Sequence, residues 1–246
     1  MFQPASLKGE SPVVIDERIR NRFLLIYLFI IAFSFIPVAI LEYLYVRYLW
    51  NPNIYLIFFI LAPVNIFLML HVLQISAILI SKMCLIIVNL FHKPIQGEFA
   101  RNIKDKDYFY WNLRNIIKKW PLFITASNPF PWVKNRFVLR FFGVKIGKHS
   151  ICDNCWISSE FIEIGENVII GMNSVLISFG IEQEKFIIKK VIIGNNVVIG
   201  AKCVVLPGTT IKDAAKLSAH SYTSYDTILE KEQIYLGHPA KIKTNE

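Results

Sequence analysis

Cys152 and Cys155 form a C-x-x-C pair, a spacing that can grip a metal ion or cycle between dithiol and disulfide. A structural zinc site needs a second pair, and downstream there is only the lone Cys203. Cys155 and Cys203 fall where a repeat described below requires small side chains. Both are therefore read as packing residues, kept reduced in a cytoplasmic domain. The histidines are His71, His92, His149, His220 and His238. Metal hydration chemistry would need several of them facing inward at one regular interval, and two lie in or beside an apolar run, so no metal is expected. His71 and Gln74 sit inside that run, where polar side chains are costly. They are expected to hydrogen-bond to a neighbouring span or subunit.

The elements that must carry this chemistry are set by a period of six. An aliphatic residue recurs at Ile164, Ile170 and Leu176, and again at Ile193, Ile199, Val205, Ile211 and Leu217. Gly follows at Gly147, Gly165, Gly171, Gly194 and Gly200, read as corners that need positive φ. Ser174, Val197, Cys203, Thr209, Ala215 and Ser221 stand four places after the aliphatic residue. Six residues suit one short parallel strand and a corner, so three hexads close a triangular coil. The aliphatic and small residues then fill a narrow interior. Early in the repeat the frame slips, which predicts Ile151 and Ile157 as inward residues. Residues 180–190, charged in GIEQEKFIIKK, read as an exposed loop leaving the coil and returning at Val191.

The stretches IGNNVVIGAKCVVLPGTTI, LSAHSYT and LGHPAKI, in that order, resemble the hexapeptide-repeat acyltransferase family. The resemblance covers roughly 135–246. It implies a β-solenoid, a left-handed parallel β-helix, that assembles as a homotrimer and uses acetyl-CoA or another acyl-CoA as co-substrate. Enzymes of this kind place the acyl-CoA between neighbouring β-helices, and a histidine removes the proton of an acceptor hydroxyl or amine. In the similar sugar acetyltransferases that histidine corresponds to the neighbourhood of Ser178 and Phe179. Here no histidine lies between His149 and His220. His220 is the substitute the resemblance offers, with Glu182 or Glu184 as alternative bases. By the same resemblance Gly200, Ala201 and Ala219 would line the pantetheine arm. Ser224 would stand beside the cofactor, with Tyr225 in place of the usual lysine. Lys241 would meet the cofactor phosphates. His149 and His238 are read as packing or solvent residues. If no base remains, the alternative is a non-catalytic trimeric scaffold.

Composition adds a membrane. Hydrophobic residues make up 54% of the 246, and mean hydropathy is +0.44, more than a soluble globule carries. The excess lies between Phe23 and Phe91. Phe23–Leu41 is uncharged and reaches about 30 Å as a helix, the depth of a bilayer core. Glu42 and the aromatic belt Tyr43, Tyr45, Tyr48 and Trp50 follow, then a turn at Asn51-Pro52-Asn53. A second apolar pattern from Ile54 to about Phe91 would span about 55 Å unbroken, so it either projects from the membrane or breaks. Arg18, Arg20 and Arg22 precede the first span, and Lys82, Lys93, Arg101 and Lys104 lie towards or beyond the end of the second. The positive-inside rule then gives a two-pass hairpin with both termini and the β-helix cytoplasmic.

Two amphipathic stretches link hairpin and repeat. DYFYWNLRNIIKKW sets Phe109, Leu113, Ile116 and Trp120 at helical spacing, with Arg114, Lys118 and Lys119 among the polar residues and Pro121 as its end. PWVKNRFVLRFFG groups Val133, Phe137 and Phe141 and stops at Gly143. Both are predicted to lie on the bilayer with cations at the headgroups, the second also capping the first coil. The net charge of +9 is thereby assigned to membrane, and nucleic acid is not an expected partner. The predicted organisation is a cytoplasmic segment at 1–22, a transmembrane hairpin at 23–93, interfacial helices and linker at 94–143, and the β-helix with its tail at 144–246. Its acceptor would be membrane-associated.

Overall fold

A computed structural model describes residues 23–101, 104–130, 133–152, 154–182 and 185–243. Arg18, Arg20, Arg22 and Glu184, used above, lie outside them, as does the segment 1–22. The chain divides into two compact units. Of the described residues, one holds those of 23–93 and 112–127, the other those of 94–111 and 128–243.

The first unit contains two long apolar helices, Leu24–Leu49 and Tyr55–Phe91, joined by the predicted turn, where the Asn53 N–H donates to Asn51 Oδ1 at 3.0 Å. By length and composition each can cross a bilayer. Their apolar side chains point away from the chain: Leu25, Leu56 and Leu90 are 77%, 74% and 80% exposed. The second helix is unbroken over 37 residues, running through Pro63 and past Lys82. Asn65 Nδ2 donates to Glu42 Oε2 at 2.7 Å, pairing the two helices through their polar residues. His71 Nδ1 meets the Phe67 carbonyl of its own helix at 2.8 Å. Gln74 is buried and donates to the Ile124 carbonyl at 3.1 Å.

The helix Lys106–Ala126 continues through Pro121 rather than ending there. Pro121 is buried beside Ile117, Ile124 and Thr125, and Thr125 Oγ1 donates to the Pro121 carbonyl at 2.6 Å, so packing offsets the lost backbone bond. Nor do its cations all face outward. Arg114 and Lys118 are 2% and 1% exposed, and Arg114 Nη1 donates to the His92 carbonyl at 3.3 Å. Lys119 alone of the three is exposed, with Nζ 6.0 Å from the centre of the Tyr27 ring.

In the second unit, short strands wind through three parallel sheets in rotation. Ile164, Ile193, Ile211 and Leu229 align in one sheet; Cys152, Ile170, Ile199, Leu217 and Tyr235 in the next; Ile157, Leu176 and Val205 in the third. Apart from Cys152, every one of these is buried. Ser174, Cys203, Thr209, Ala215 and Ser221 are at most 1% exposed, which accounts for small side chains there. Their polar groups join coils: Ser174 Oγ donates to the Gly200 carbonyl at 2.8 Å and accepts from the Cys203 N–H at 3.1 Å.

Four expectations change. The frame slip is confined to one hexad, because Cys152 takes the inward register and Ile151 is 53% exposed, whereas Ile157 does point inward. The repeat glycines are not the positive-φ residues. A Cβ on Gly171 would stand 2.5 Å from the Ala201 nitrogen of the next coil, so glycine is required by close stacking. Positive φ falls two residues later, at Asn167, Asn173, Asn196 and Lys202. Cys152 and Cys155 stand side by side, with Cα atoms 5.9 Å apart, so the two thiols are neighbours instead of serving packing separately. Finally, the segment after Leu176 is no exposed loop. Phe179–Glu182 and Lys185–Ile188 form an antiparallel hairpin, and Gly97–Ala100 adds a third strand. Phe186, Ile187 and Ile188 are buried, which the charges of the stretch had concealed.

The end of the coil is closed by the π-helical turn Val133–Val138 and the helical residues Leu139–Phe141. Val138, Leu139 and Phe142 are buried there, while Phe137 and Phe141 are exposed, so the covering face is one residue out of step with the prediction. Arg140 Nη2 donates to the Ile146 and Gly147 carbonyls and Asn135 Nδ2 to the Cys152 carbonyl, satisfying first-coil backbone groups.

Candidate functional site

Gly200, Ala201 and Ala219 come together at one corner of the coil. A Cβ on Gly200 would lie 2.3 Å from the Ala219 nitrogen, and the His220 N–H donates to the Ala201 carbonyl at 2.9 Å. Glycine at 200 therefore makes room for the next coil, and no side chain larger than a methyl stands at Gly200, Ala201 or Ala219. His220 is exposed, with φ +57°, and follows Lys202 at φ +56° one coil earlier. That conformation suits a corner residue, and histidine is among the side chains that tolerate it.

The C-terminal strands fold onto the same corner. The Tyr222 N–H donates to the Gly237 carbonyl at 3.2 Å, and the Ala240 N–H to the Tyr222 carbonyl at 2.7 Å. Lys241, exposed, lies opposite Leu236 in an antiparallel pair that continues this sheet. His238 is also exposed, its ring 5.6 Å from that of Tyr222. Ser224 is elsewhere, on the following corner, where its carbonyl accepts from Thr227 Oγ1 at 2.8 Å. His149 occupies a corner at the start of the coil, exposed at φ +57°. The structure thus brings Gly200, Ala201, Ala219 and His220 to one corner, sets Lys241 on the strand paired with Leu236, and places Ser224 and His149 on other corners.

Where the resemblance placed a histidine, Ser178 is 2% exposed and its Oγ donates to the Glu160 carbonyl at 2.6 Å. Phe179 enters an aromatic cluster, 4.8 Å from Trp111 and 6.1 Å from Trp156 by ring centres, and Phe186 lies 4.5 Å from Trp111. The hairpin is pinned to the Ser224 corner, since Lys189 Nζ meets Asp226 Oδ2 at 2.5 Å. That hydrogen bond with Asp226 is the main reason the Lys189 ammonium titrates above its ordinary range. Tyr225 of the same corner reaches Gly180, and burial, then the Glu182 charge, holds its phenol protonated to higher pH. Tyr225 was noted in the sequence only as a departure from a lysine. The hairpin could have been found from its alternation, Phe179 and Ile181 against Phe186 and Ile188 across a short polar turn.

A cavity of about 310 Å³ lies on another face, lined by Ile192, Thr210, Lys212, Asp213 and Lys231 among others, and includes none of these residues. Among the described residues, no three of His, Cys, Asp and Glu are gathered so as to hold a metal ion.

A family model described as the hexapeptide repeat of succinyl-transferase matches residues 162–182 and 190–222, the same coils that carry the stacked corner. The repeat coils are thus similar to the hexapeptide repeats of that transferase family. The Bacillus subtilis (strain 168) protein YvoF, whose name assigns it provisionally to the acetyltransferases, is 33% identical over 107 residues. The match takes in 42% of this chain and 62% of YvoF, so the chain spans under two thirds of that relative's length. A hexapeptide-repeat acetyltransferase from Vibrio cholerae is similar over 52% of this chain and 87% of its own, at 17% identity and TM-score 0.46. A galactoside acetyltransferase solved with coenzyme A gives 54%, 78%, 22% and 0.41 for the same measures.

Proposed function

We propose that this chain is an acyl-CoA-dependent acyltransferase, an acetyltransferase in its simplest form, that modifies a hydroxyl or amine of a membrane-associated acceptor. The observation that carries the reading is the stacked corner of small residues Gly200, Ala201 and Ala219, within coils that match the hexapeptide repeat of succinyl-transferase. The pantetheine arm would lie along that corner. Lys241 would offer the cofactor phosphates a charge on a flexible stem.

The setting follows from the rest of the chain. Two helices of membrane-crossing length with exposed apolar side chains support a bilayer anchor. Ile151, Ile169, Val198, Ile234 and Ile242 are exposed along one sheet of the coil and support association of β-helices, as a homotrimer wound left-handed. The two-pass arrangement with the β-helix on the cytoplasmic side rests on the lysines and arginines that flank the hairpin.

The test is calorimetric titration of detergent-solubilised protein with acetyl-CoA, with Lys241→Glu as the control. Saturable binding weakened in the control supports the reading. A folded protein that binds neither acetyl-CoA nor a longer-chain acyl-CoA sinks it and leaves the scaffold. One observation favours that second reading: Phe179, among its aromatic neighbours, occupies the neighbourhood where similar sugar acetyltransferases hold their base.

A further inference from the structure

The first coil differs from those that follow it at one turn. Cys152 takes the inward register that Ile170, Ile199, Leu217 and Tyr235 fill further along, and Cys155 the small position held by Ser174 and Cys203. The second and third coils therefore set a large aliphatic side chain beside a small one across this turn, Ile170 with Ser174 and Ile199 with Cys203. The first coil sets sulfur beside sulfur. Their Cα atoms, 5.9 Å apart, lie within the span of a disulfide, so a bond between them needs no backbone movement. Both ends of the turn are held by the coil itself: the Ile151 N–H donates to the Val168 carbonyl at 2.8 Å and the Trp156 N–H to the Ser174 carbonyl at 2.9 Å.

Access differs between the two thiols. Cys152 is partly exposed, with exposed Ile151 and Asn154 near it, whereas Cys155 is only 5% exposed. A soluble reagent therefore meets Cys152 first, and Cys155 is placed to attack what forms there. Cys203 is no competitor: it shares a column with Cys155 but lies two coils away, about 9–10 Å at ordinary strand spacing, beyond disulfide reach. The turn is also tied to the cap of the coil, because Asn135 Nδ2 donates to the Cys152 carbonyl.

We propose that Cys152 and Cys155 are a redox-active pair, oxidised by a low-molecular-weight disulfide and reopened by a small dithiol, and that the bond between them locks the first coil beneath its cap. This chemistry needs neither acyl-CoA nor an acceptor, so it is independent of the proposed function. The Cys152 thiolate attacks one sulfur of the reagent, forming a mixed disulfide and expelling one thiolate. The Cys155 thiolate then attacks the Cys152 sulfur, closing the protein disulfide and expelling the second thiolate. The two thiol protons pass through solvent to the expelled thiolates. Two protein thiols are thus oxidised as one reagent disulfide is reduced to two thiols.

The full chain in lipid nanodiscs is incubated with oxidised glutathione or with dithiothreitol, freed of reagent, denatured in N-ethylmaleimide and read by peptide mass spectrometry. Hydrogen exchange is followed on the native protein in parallel. Oxidation is expected to deny maleimide to Cys152 and Cys155 together while Cys84 and Cys203 still take it, and dithiothreitol to restore both. Cys155→Ser removes the second attack, so a glutathione mixed disulfide accumulates on Cys152. Cys152→Ser leaves Cys155 a buried thiol without an adduct. In wild-type protein, oxidation slows exchange of the Ile151 and Trp156 amides by about tenfold, the scale for closing so short a loop, and leaves those of Ile192 and Val204 unchanged. The wild-type comparison decides the outcome even where a serine variant unfolds. A stable glutathione adduct on wild-type Cys152, full maleimide labelling of both thiols after oxidation, or equal oxidation of Cys203 overturns the pair. Unchanged exchange at Ile151 and Trp156 in the disulfide-bonded protein overturns the lock.

Discussion

Gly200 lies directly against Ala219 of the next coil: a Cβ at position 200 would be 2.3 Å from the Ala219 nitrogen and 2.6 Å from its Cα. The obstacle is backbone, which cannot swing aside as a side-chain tip can. Gly200→Ala is therefore expected to cost about 2–3 kcal/mol or more by forcing two coils apart. Thermal or denaturant unfolding of the solubilised protein measures this. The same substitution displaces the corner assigned to the cofactor arm, so acetyl-CoA affinity falls with stability.

Arg140 closes the open end of the coil by donating to the Ile146 and Gly147 carbonyls. Arg140→Met keeps much of the stem and removes the donors, leaving two carbonyls to find water. Hydrogen bonds from a charged group are worth about 1.5–3 kcal/mol, and a loss of that order is expected in the unfolding midpoint. Hydrogen exchange localises the effect. Amides of the first coil, such as Ile151, which donates to Val168, lose protection before those of Ile193 and Ile211.

How legible this chain was depended on whether the signal was local. Inward residues such as Ile170, Ile199 and Leu217 repeat their environment every six positions, so sequence alone locates them. The hairpin helices are equally plain, because few soluble contexts would expose so much apolar surface as Leu56 and Leu90 do. The sheet of Gly97–Ala100 with 179–188 was not legible. Its pairing partner lies more than eighty residues away, and Glu182 and Lys185 suggested a solvated loop although Phe186 is buried. Arg114 and Lys118 misled for a related reason: a cation drawn on a helical wheel seems to face solvent, yet a long aliphatic stem can lie within packing. The stacking of small residues at Gly200, Ala201 and Ala219 follows from the same six-residue period. The Tyr225 approach to Gly180 needed coordinates.

Cys203 is fully buried and its thiol donates to the Ser218 carbonyl at 3.0 Å. Burial pushes its pKa up, outweighing the backbone hydrogen bonds that favour the thiolate. Since the thiolate is the reacting species, two effects protect it from alkylation. Native protein treated with iodoacetamide near pH 8 is expected to leave Cys203 unmodified, and denaturant to expose it. Labelling at the rate of a free thiol would mean that the coil opens around Ala201 and Ser218.

Glu163 links three stretches of chain from the outer face of the coil, with Lys145 at 2.5 Å and Lys190 at 2.6 Å. Hydrogen bonds from Lys145 and then Lys190 hold its carboxyl below the ordinary carboxylate range. A depressed folded-state pKa contributes stability that is complete above the unfolded value, near 4.5, and is lost as pH falls through the folded one. The pairs are partly solvated, so near neutral pH Glu163→Gln is expected to cost only about 0.5–1 kcal/mol. Below the usual carboxylate value that difference should shrink, because wild-type Glu163 then binds a proton and resembles the amide. Unfolding midpoints of the two proteins across acid pH test the sign. A gap that widened on acidification would mean that Glu163 is stabilised in its protonated form, and that Lys145 and Lys190 do not hold it.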